Sequence, residues 1–255
     1  MIVCLSFDDG RSDAFYSAFP IMLSTNIVGT FHITTGFIDG TFRTNAFGRD
    51  RKPLRIESLQ EMKNNKMEIS SHGDKHIMET RDFLISISKI REWELGLQKI
   101  GFSVPNSKYD DKSLSEFIKK NREHLSYVRV GRHPKCYSLN SKIHYFVYHY
   151  LVRNYKSFLA FNKFNINKMI SSCFYSIVVK RDIKPQHICN FIRDNMSENG
   201  IIVLMFHSIM DSPSNDWEYG ADNFKYICSF IQKMQNDGKI TNMTLQEIID
   251  KNGIR

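Results

Sequence analysis

Short apolar runs alternate along the chain with longer stretches whose apolar residues recur at helical spacing. The apolar runs are rich in β-branched and aromatic residues, as buried strands are, and they lie at 2–7, 27–33, 67–71, 102–105, 127–130 and 201–206. The amphipathic stretches predict helices at 11–23, 56–65, 81–100, 114–121, 184–199, 224–236 and 245–251. Because strands alternate with helices and no tight hairpin signal appears, the pattern favours a parallel β/α architecture.

The side chains that follow three of these strands can bind a metal or transfer a proton. Asp8 and Asp9 follow the first strand, His72 and His76 follow the third, and His207 follows the last. In a β/α barrel the carboxyl ends of the strands share one face, which carries the chemistry. Asp-Asp-Gly is also common in solvated turns, and paired histidines also occur by coincidence on surfaces. The shared position at strand ends nevertheless favours a functional site.

The spacing of the two histidines suits a metal ion. On a helical turn, His72 and His76 would present their imidazoles on one face, within reach of one cation. A catalytic zinc takes three protein ligands and keeps one position open. Asp8 or Asp9 can complete the set, since adjacent residues leave a strand in different directions and the second carboxylate stays free as a base. The residues alone leave open which carboxylate binds.

The positive charge of the chain is concentrated in one segment. The net charge is +8, and residues 125–181 contain no Asp or Glu. The basic residues of this segment are Arg129, Arg132, Lys135, Lys142, Arg153, Lys156, Lys163, Lys168, Lys180 and Arg181. Between 145 and 164, basic and aromatic residues interleave at helical spacing, which predicts one or two basic helices with the aromatics in their core. No nucleic-acid-binding motif accompanies them, so a specific nucleic-acid partner is not expected.

Length, composition and cysteines favour a single intracellular domain. A chain of 255 residues with 42% hydrophobic and 24% charged residues fits one α/β domain spanning 1–255. The five cysteines show no C-x-x-C spacing, which argues against a disulfide framework and a cysteine-bound zinc. Neither a signal-peptide pattern nor an apolar run long enough to span a membrane is recognised. On the premise that Met1 is the natural start, we expect a cytoplasmic protein.

Four sequence motifs resemble those of one enzyme family. They are LSFDDG at 5–10, GTFHI at 29–33, EISSHGDKH at 68–76 and LMFHSI at 204–209. In this order they resemble the polysaccharide deacetylases of carbohydrate esterase family 4, the chitooligosaccharide-deacetylase homology domain, over roughly 1–130 and 195–250. The resemblance implies an α/β fold, namely a distorted, incomplete (β/α) barrel that is TIM-barrel-like and has about seven strands. The basic helical insertion would then occupy approximately 135–190.

The resemblance also implies roles for the residues at the strand ends. Asp9, His72 and His76 would hold a divalent metal ion, with zinc as the expected ion. Asp8 would be the general base that deprotonates the metal-bound water, and His207 would be the general acid that protonates the leaving amine. The reaction would be hydrolysis of an N-acetyl group on a sugar, by a linear-amide hydrolase.

Other positions of the family are less clearly matched. The backbone of Asn106, which follows a proline at the fourth strand end, would stabilise the oxyanion. The family's arginine that braces the base is replaced by Ser103. Arg129, at the end of the next strand, can take over this role or be an ordinary surface arginine. The family's aspartate-tryptophan motif is not recognisable before the last strand; Trp217, after it, is interpreted as a packing residue, with a substrate loop as the alternative.

These observations lead to two functional hypotheses. The first is a metal-dependent deacetylase that removes an N-acetyl or N-formyl group from an amino sugar, within a cytoplasmic intermediate of surface-polysaccharide synthesis. Its substrate would be linked to phosphate or lipid, because basic side chains attract diphosphates and anionic lipid surfaces; peripheral membrane contact is compatible with this. The second is a catalytically inactive barrel that binds a sugar or an anion.

Overall fold

The computed structural model describes residues 1–47, 51–96, 98–107, 109–169 and 171–253. The strands are β1 (Ile2–Phe7), β2 (Gly29–Ile33), β3 (Glu68–Ser71), β4 (Ile100–Ser103), β5 (Leu125–Val130), β6 (Ile166–Lys168), β7 (Cys173–Tyr175), β8 (Ile177–Val178), β9 (Gly200–Phe206), β10 (Ser208–Met210), β11 (Glu218–Gly220) and β12 (Thr241–Asn242). The α-helices are α1 (Phe19–Ser24), α2 (Thr35–Ile38), α3 (Ile56–Asn64), α4 (Thr80–Glu92), α5 (Asp111–Asn121), α6 (Leu139–Phe146), α7 (Tyr155–Asn162), α8 (Pro185–Asp194), α9 (Ala221–Asn236) and α10 (Leu245–Asn252). A π-helical turn, Val147–Leu151, continues α6.

The main sheet curls into a nearly closed barrel. Its parallel strands follow the order β9-β1-β2-β3-β4-β5-β7. Strand β8, one residue after β7, pairs with β9, so the segment 173–178 joins the two edges of the sheet. The predicted distorted (β/α) barrel is therefore confirmed. One pair departs from the parallel prediction, because β6 lies antiparallel to β9.

The centre of the barrel is formed by β1 and β9. Every residue of both strands is buried, as expected for parallel strands that are covered on both faces. The ring of Phe7 stacks on Phe31 of β2 at 4.5 Å and on Phe206 of β9 at 5.5 Å. This packing holds the carboxyl ends of the three strands side by side.

The helix predicted over 81–100 is shorter than its apolar spacing indicates. Helix α4 ends at Glu92, Glu94 adopts a positive φ of 59°, and Ile100 already belongs to β4; residue 97 lies outside the described part of the chain. Leu95 and Ile100 are buried, but as loop and strand residues. Periodicity reports burial, and here it does not separate a helix from a loop that also packs on the core.

The predicted basic helical insertion contains both helices and barrel strands. Helix α6 and the turn after it pack on α7, with Tyr148 against Phe158 and Phe161 at ring distances of 5.6 Å. These three aromatics are buried, whereas Phe146 and Tyr150 are exposed, so only part of the aromatic set forms helix core. None of the described helices combines the length and apolar character that a membrane-spanning helix needs.

Candidate active site

The carboxyl ends of neighbouring barrel strands bring the predicted side chains together. Asp8 and Asp9 leave β1, His72 leaves β3 and His207 leaves β9. Arg129 lies near the end of β5, which is separated from β3 by β4 in the sheet. Because these strands run in parallel around the barrel, residues far apart in the chain meet at one edge.

Asp9, His72 and His76 converge on a common point. The Nε2 atoms of both histidines lie 3.6 Å from Oδ1 of Asp9, and they lie 3.0 Å from each other. The three ligand atoms all fall within 4.8 Å of one another, as a single cation requires. One carboxylate and two imidazoles form a donor set that suits zinc and similar divalent ions.

The histidine pair does not lie on a helical turn, contrary to the expectation from its spacing. His72 and His76 are part of a loop in which Gly73 and His76 have positive φ angles of 82° and 60°. The carboxylate of Asp82, at the start of α4, accepts hydrogen bonds from the backbone N–H groups of Asp74 and Lys75. This anchor shapes the loop, and the loop rather than a helix directs both imidazoles inwards.

The hydrogen bonds around the three residues leave the converging atoms available to a cation. Nδ1–H of His72 donates to the carbonyl oxygen of Ser103 at 2.9 Å, which leaves the lone pair on Nε2. Burial lowers the pKa of His72 well below its ordinary value and that of His76 to about 4, so both imidazoles are neutral. A neutral imidazole is the form that binds a metal.

Asp9 is held in place by Arg11, a residue that the sequence pattern did not single out. Nε and Nη2 of Arg11 donate to Oδ2 of Asp9 at 3.0 and 2.6 Å, and Nη1 donates to Oγ of Ser208 at 3.0 Å. The free oxygen, Oδ1, therefore faces the histidines. Burial raises the pKa of Asp9 to about 6 although Arg11 opposes this, and a bound cation would favour the ionised form.

Asp8 is paired with Arg129 in the interior. Arg129 is fully buried, and its Nη2 donates to Oδ1 of Asp8 and to Oγ of Ser103. Of the two alternatives for Arg129, the structure has the buried contact with Asp8 and not a surface position. Burial by itself raises the pKa of Asp8, but the Arg129 guanidinium holds it well below its ordinary value. Asp8 is thus ionised and oriented.

His207 lies at the edge of the same site. Its ring is 4.7 Å from that of Trp217, and its Nδ1 is buried without a hydrogen-bond partner among the described residues. Burial lowers the pKa of His207 to about 4. Trp217 is a wall of the site and not a core packing residue, since 43% of its surface is exposed. Trp217 comes after β9, the last long strand. The alternative interpretation from the sequence was that this residue belongs to a substrate loop.

A cavity of about 490 Å³ opens onto these residues. Asp8, Asp9, His76, His207 and Asn106 line one part of it, and the φ of Asn106 is positive, at 55°. The basic segment supplies much of the remaining wall through Arg132, Tyr137, Tyr145 and Lys180. A larger cavity, of about 1010 Å³, contains none of the predicted site residues.

Two cations flank one tyrosine in this wall. The Arg132 guanidinium lies 4.5 Å from the ring centre of Tyr145, and Nζ of Lys180 lies 6.0 Å from the same ring and 4.8 Å from Trp217. Nε of Arg132 is buried without a hydrogen-bond partner in the described ranges. Lys180 is 4.0 Å from Asp216, an exposed and therefore weak ion pair. The wall is positively charged.

Comparisons with known proteins agree with this architecture. A family model described as polysaccharide deacetylase matches residues 1–138. The fold is similar to a family 4 acetyl xylan esterase from Clostridium thermocellum in complex with a cobalt ion (TM-score 0.55, 14% identity, 99% of this chain and 92% of that chain). It is also similar to the Bc1960 peptidoglycan N-acetylglucosamine deacetylase (TM-score 0.53, 13% identity, 96% and 86%).

A more partial likeness links the chain to the Streptococcus pyogenes deacetylase PplD, with a TM-score of 0.42 and 20% identity. That match covers 51% of this chain and 55% of PplD, so the chain spans about half the length of that protein. A search of curated proteins returned no match. The family model covers more than half of the chain and includes the β1 and β3 strand ends. The chain therefore belongs to the polysaccharide deacetylases, a family of carbohydrate-deacetylating hydrolases.

Proposed function

We propose that the chain is a metal-dependent hydrolase that removes an N-acetyl or N-formyl group from an amino sugar. The observation that carries this proposal is the convergence of Asp9, His72 and His76 beside the Asp8–Arg129 pair, at the base of a cavity. A structural role for the cluster would not require three metal-competent atoms to point at one another.

The residues present fit a divalent cation, with zinc as the preferred ion. Asp9 Oδ1 and the Nε2 atoms of His72 and His76 would hold it, while Arg11 and the Ser103 carbonyl keep these ligands oriented. When bound, such a cation supplies Lewis acidity, which polarises a carbonyl and lowers the pKa of water. Three protein ligands leave room for substrate, as in catalytic rather than structural sites.

The side chains around that position can move the protons of the reaction. Asp8, ionised by its contact with Arg129, would accept a proton from the attacking water. The backbone N–H of Asn106 would donate to the oxygen that becomes negative as the carbonyl is attacked. His207, in its protonated form, would then deliver a proton to the nitrogen as the C–N bond breaks, which balances the proton that Asp8 takes from the water. The products are a carboxylate, acetate or formate, and the free amine.

Arg132 and Lys180 support a substrate that carries a negative charge. Both cations line the cavity that contains Asp8 and His207, and guanidinium and ammonium groups bind phosphate through charge-assisted hydrogen bonds. We infer that the amino sugar is linked to a phosphate, as in a nucleotide-linked or lipid-linked intermediate of surface-polysaccharide synthesis. Such an intermediate would place the enzyme in the cytoplasm.

Hydrolysis of defined substrates tests this proposal. Release of acetate or formate should be measured for a nucleotide-diphosphate N-acyl amino sugar and for a neutral N-acetylated oligosaccharide, with zinc and with a chelator. We expect turnover only with metal, and a higher kcat/KM for the phosphorylated substrate. Equal rates on both would remove the role of the anion. The absence of both bound metal and activity would instead favour the inactive sugar- or anion-binding barrel.

A further inference from the structure

We propose that the outer side of α6 and the turn after it docks on the surface of an anionic lipid membrane. The docking face is formed by Leu139, Ile143, Phe146, Tyr150, Leu151 and Val152. This inference concerns a surface outside the cavity. It does not depend on the metal site, although it bears on where a lipid-linked substrate would be met.

The docking face gathers six exposed large apolar side chains within one short segment of the chain. Between 52% and 77% of each of its six side chains is exposed. Elsewhere among the described residues, exposed large apolar side chains occur singly or as neighbouring pairs, such as Leu84 and Ile85 at 38% each. Soluble proteins seldom expose a contiguous apolar patch of this kind unless another surface covers it.

Helical spacing arranges four of these residues on one side, and Leu151 and Val152 follow directly at the end of the π turn. Positions 139, 143, 146 and 150 recur every three or four residues, so their side chains lie above one another along α6 and the π turn. The opposite side already supplies the core contacts: Tyr145 and Tyr148 pack against the Phe161 ring of α7 at 5.4 and 5.6 Å. The internal packing of the fold thus accounts for the inner side of this helix and leaves the outer side without a function.

The charges around the docking face indicate the chemistry of its partner. Lys135, Lys142, Arg153 and Lys156 are exposed beside it in the chain, and 125–181 contains no acidic residue. Asp182 approaches from outside the segment, but its Oδ2 lies 2.6 Å from Nδ1 of His149 and 3.9 Å from Arg153. An apolar strip bordered by lysines matches a membrane with anionic headgroups. A second copy of the chain fits worse, because two such positive faces would repel each other.

The docking face belongs to the same segment as the cavity wall. Tyr137 is half exposed and lines the cavity, and Tyr145 lines it from the inner side of α6. A protein docked through α6 would therefore bring the cavity close to the headgroups. Provided that the proposed function holds, this arrangement would favour a substrate anchored in the lipid over one that is free in solution.

Vesicle binding by the full chain tests the proposal. Co-sedimentation should be measured with vesicles of phosphatidylglycerol and phosphatidylcholine in equal parts, and with vesicles of phosphatidylcholine alone. We expect binding to the anionic vesicles and at least tenfold weaker binding to the neutral ones or in 0.5 M salt. The Ile143→Glu/Phe146→Glu variant should bind the anionic vesicles at least tenfold more weakly.

Matched control variants distinguish an effect of the docking face from a general effect of adding or removing charge at an exposed position. Leu84→Glu/Ile85→Glu places the same two charges on exposed apolar positions of α4 and should leave binding unchanged. Lys142→Gln/Lys156→Gln should weaken binding about tenfold or more, whereas Lys119→Gln/Lys120→Gln on α5 should not. Thermal unfolding of each variant establishes that it is folded.

Three outcomes would overturn the proposal. One is the absence of binding to anionic vesicles by the unaltered protein, and another is full binding by Ile143→Glu/Phe146→Glu. The third is a dimer in sedimentation velocity that this variant abolishes while vesicles are not bound, since the face would then join two copies. Hydrolysis of a soluble substrate should be unchanged in the variant, so a failed docking proposal and a failed metal site give different results.

Discussion

The strand-end site buries charged side chains, whereas the docking face of α6 exposes apolar ones. At the strand ends, charged groups are buried but paired, Arg129 with Asp8 and Arg11 with Asp9. On α6, apolar groups are exposed, and none of the described residues covers them. A buried charge persists in a fold only with a partner, whereas an exposed apolar patch indicates a surface that acts outside the fold. The first region is explained by internal pairing, and the second by an external partner.

The buried Nδ1 of His207 has no hydrogen-bond partner among the described residues, and removal of this side chain should have the largest effect on turnover. If it protonates the leaving amine, His207→Ala should lower kcat about 10²–10⁴-fold and keep the metal, because His207 is not a proposed ligand. Steady-state kinetics and elemental analysis of the same preparation measure both quantities. Loss of metal would make His207 a ligand, and an unchanged kcat would remove it from the mechanism.

The Arg129–Asp8 pair tests whether buried pairing stabilises the barrel. Arg129→Gln leaves the Asp8 carboxylate buried without its guanidinium, so we expect the free energy of unfolding to fall by about 3–5 kcal/mol. Urea denaturation in the presence of a chelator measures this without a contribution from metal. The Asp8→Asn/Arg129→Gln double variant should recover part of the loss. A loss below about 1 kcal/mol would contradict the importance of the pair.

The role of Arg11 in orienting Asp9 predicts a smaller effect, on metal affinity. Arg11→Gln releases Oδ2 of Asp9, and we expect the Kd for zinc to rise about 10–100-fold, the usual result of removing a group that orients a ligand. Competition with a chromogenic chelator measures the Kd. Arg55→Gln, at an exposed arginine, is the control and should not change it. Equal affinity in Arg11→Gln would mean that the loop geometry alone orients Asp9.

Arg132 lies between the two regions, since the basic segment carries it into the cavity. Arg132→Gln should raise KM for a phosphorylated amino sugar about tenfold and leave KM for a neutral one unchanged. Steady-state kinetics on both substrates give the comparison, with Lys225→Gln on α9 as the control. An equal rise in KM for both substrates would indicate that Arg132 shapes the cavity through its contact with Tyr145 and does not bind the anion.

Much of the fold follows from local pattern. The continuous apolar runs predict β1 and β9 within one residue of their observed bounds, because strands buried on both faces need apolar residues throughout. The short strands of 173–178 and 208–220 were not predicted. Runs of two or three residues are too short to show a period. Strands β7 and β8 form because β5 and β9 offer free edges beside them, whereas β10 and β11 pair with each other in a separate two-stranded sheet.

The candidate site was predictable in its membership more than in its geometry. Asp8, Asp9, His72, His76 and His207 all stand directly after or near a strand end, which the sequence shows. Their convergence on one edge required the parallel order of the strands. The histidine pair was expected on a helical turn and lies in a loop, because spacing by four residues is compatible with either.

The sequence by itself determined which chemical groups follow each strand, and that positive charge is concentrated in one stretch of chain. Only the tertiary structure decided their partners: Arg129 lies against Asp8, 121 positions away in the chain, and Arg11 occupies one oxygen of Asp9 so that the other faces the histidines. Local pattern reports how each element is buried, since that is a property of neighbouring residues. Ionic pairing and exposure depend on distances in space between distant segments, and these distances exist only once the barrel has closed.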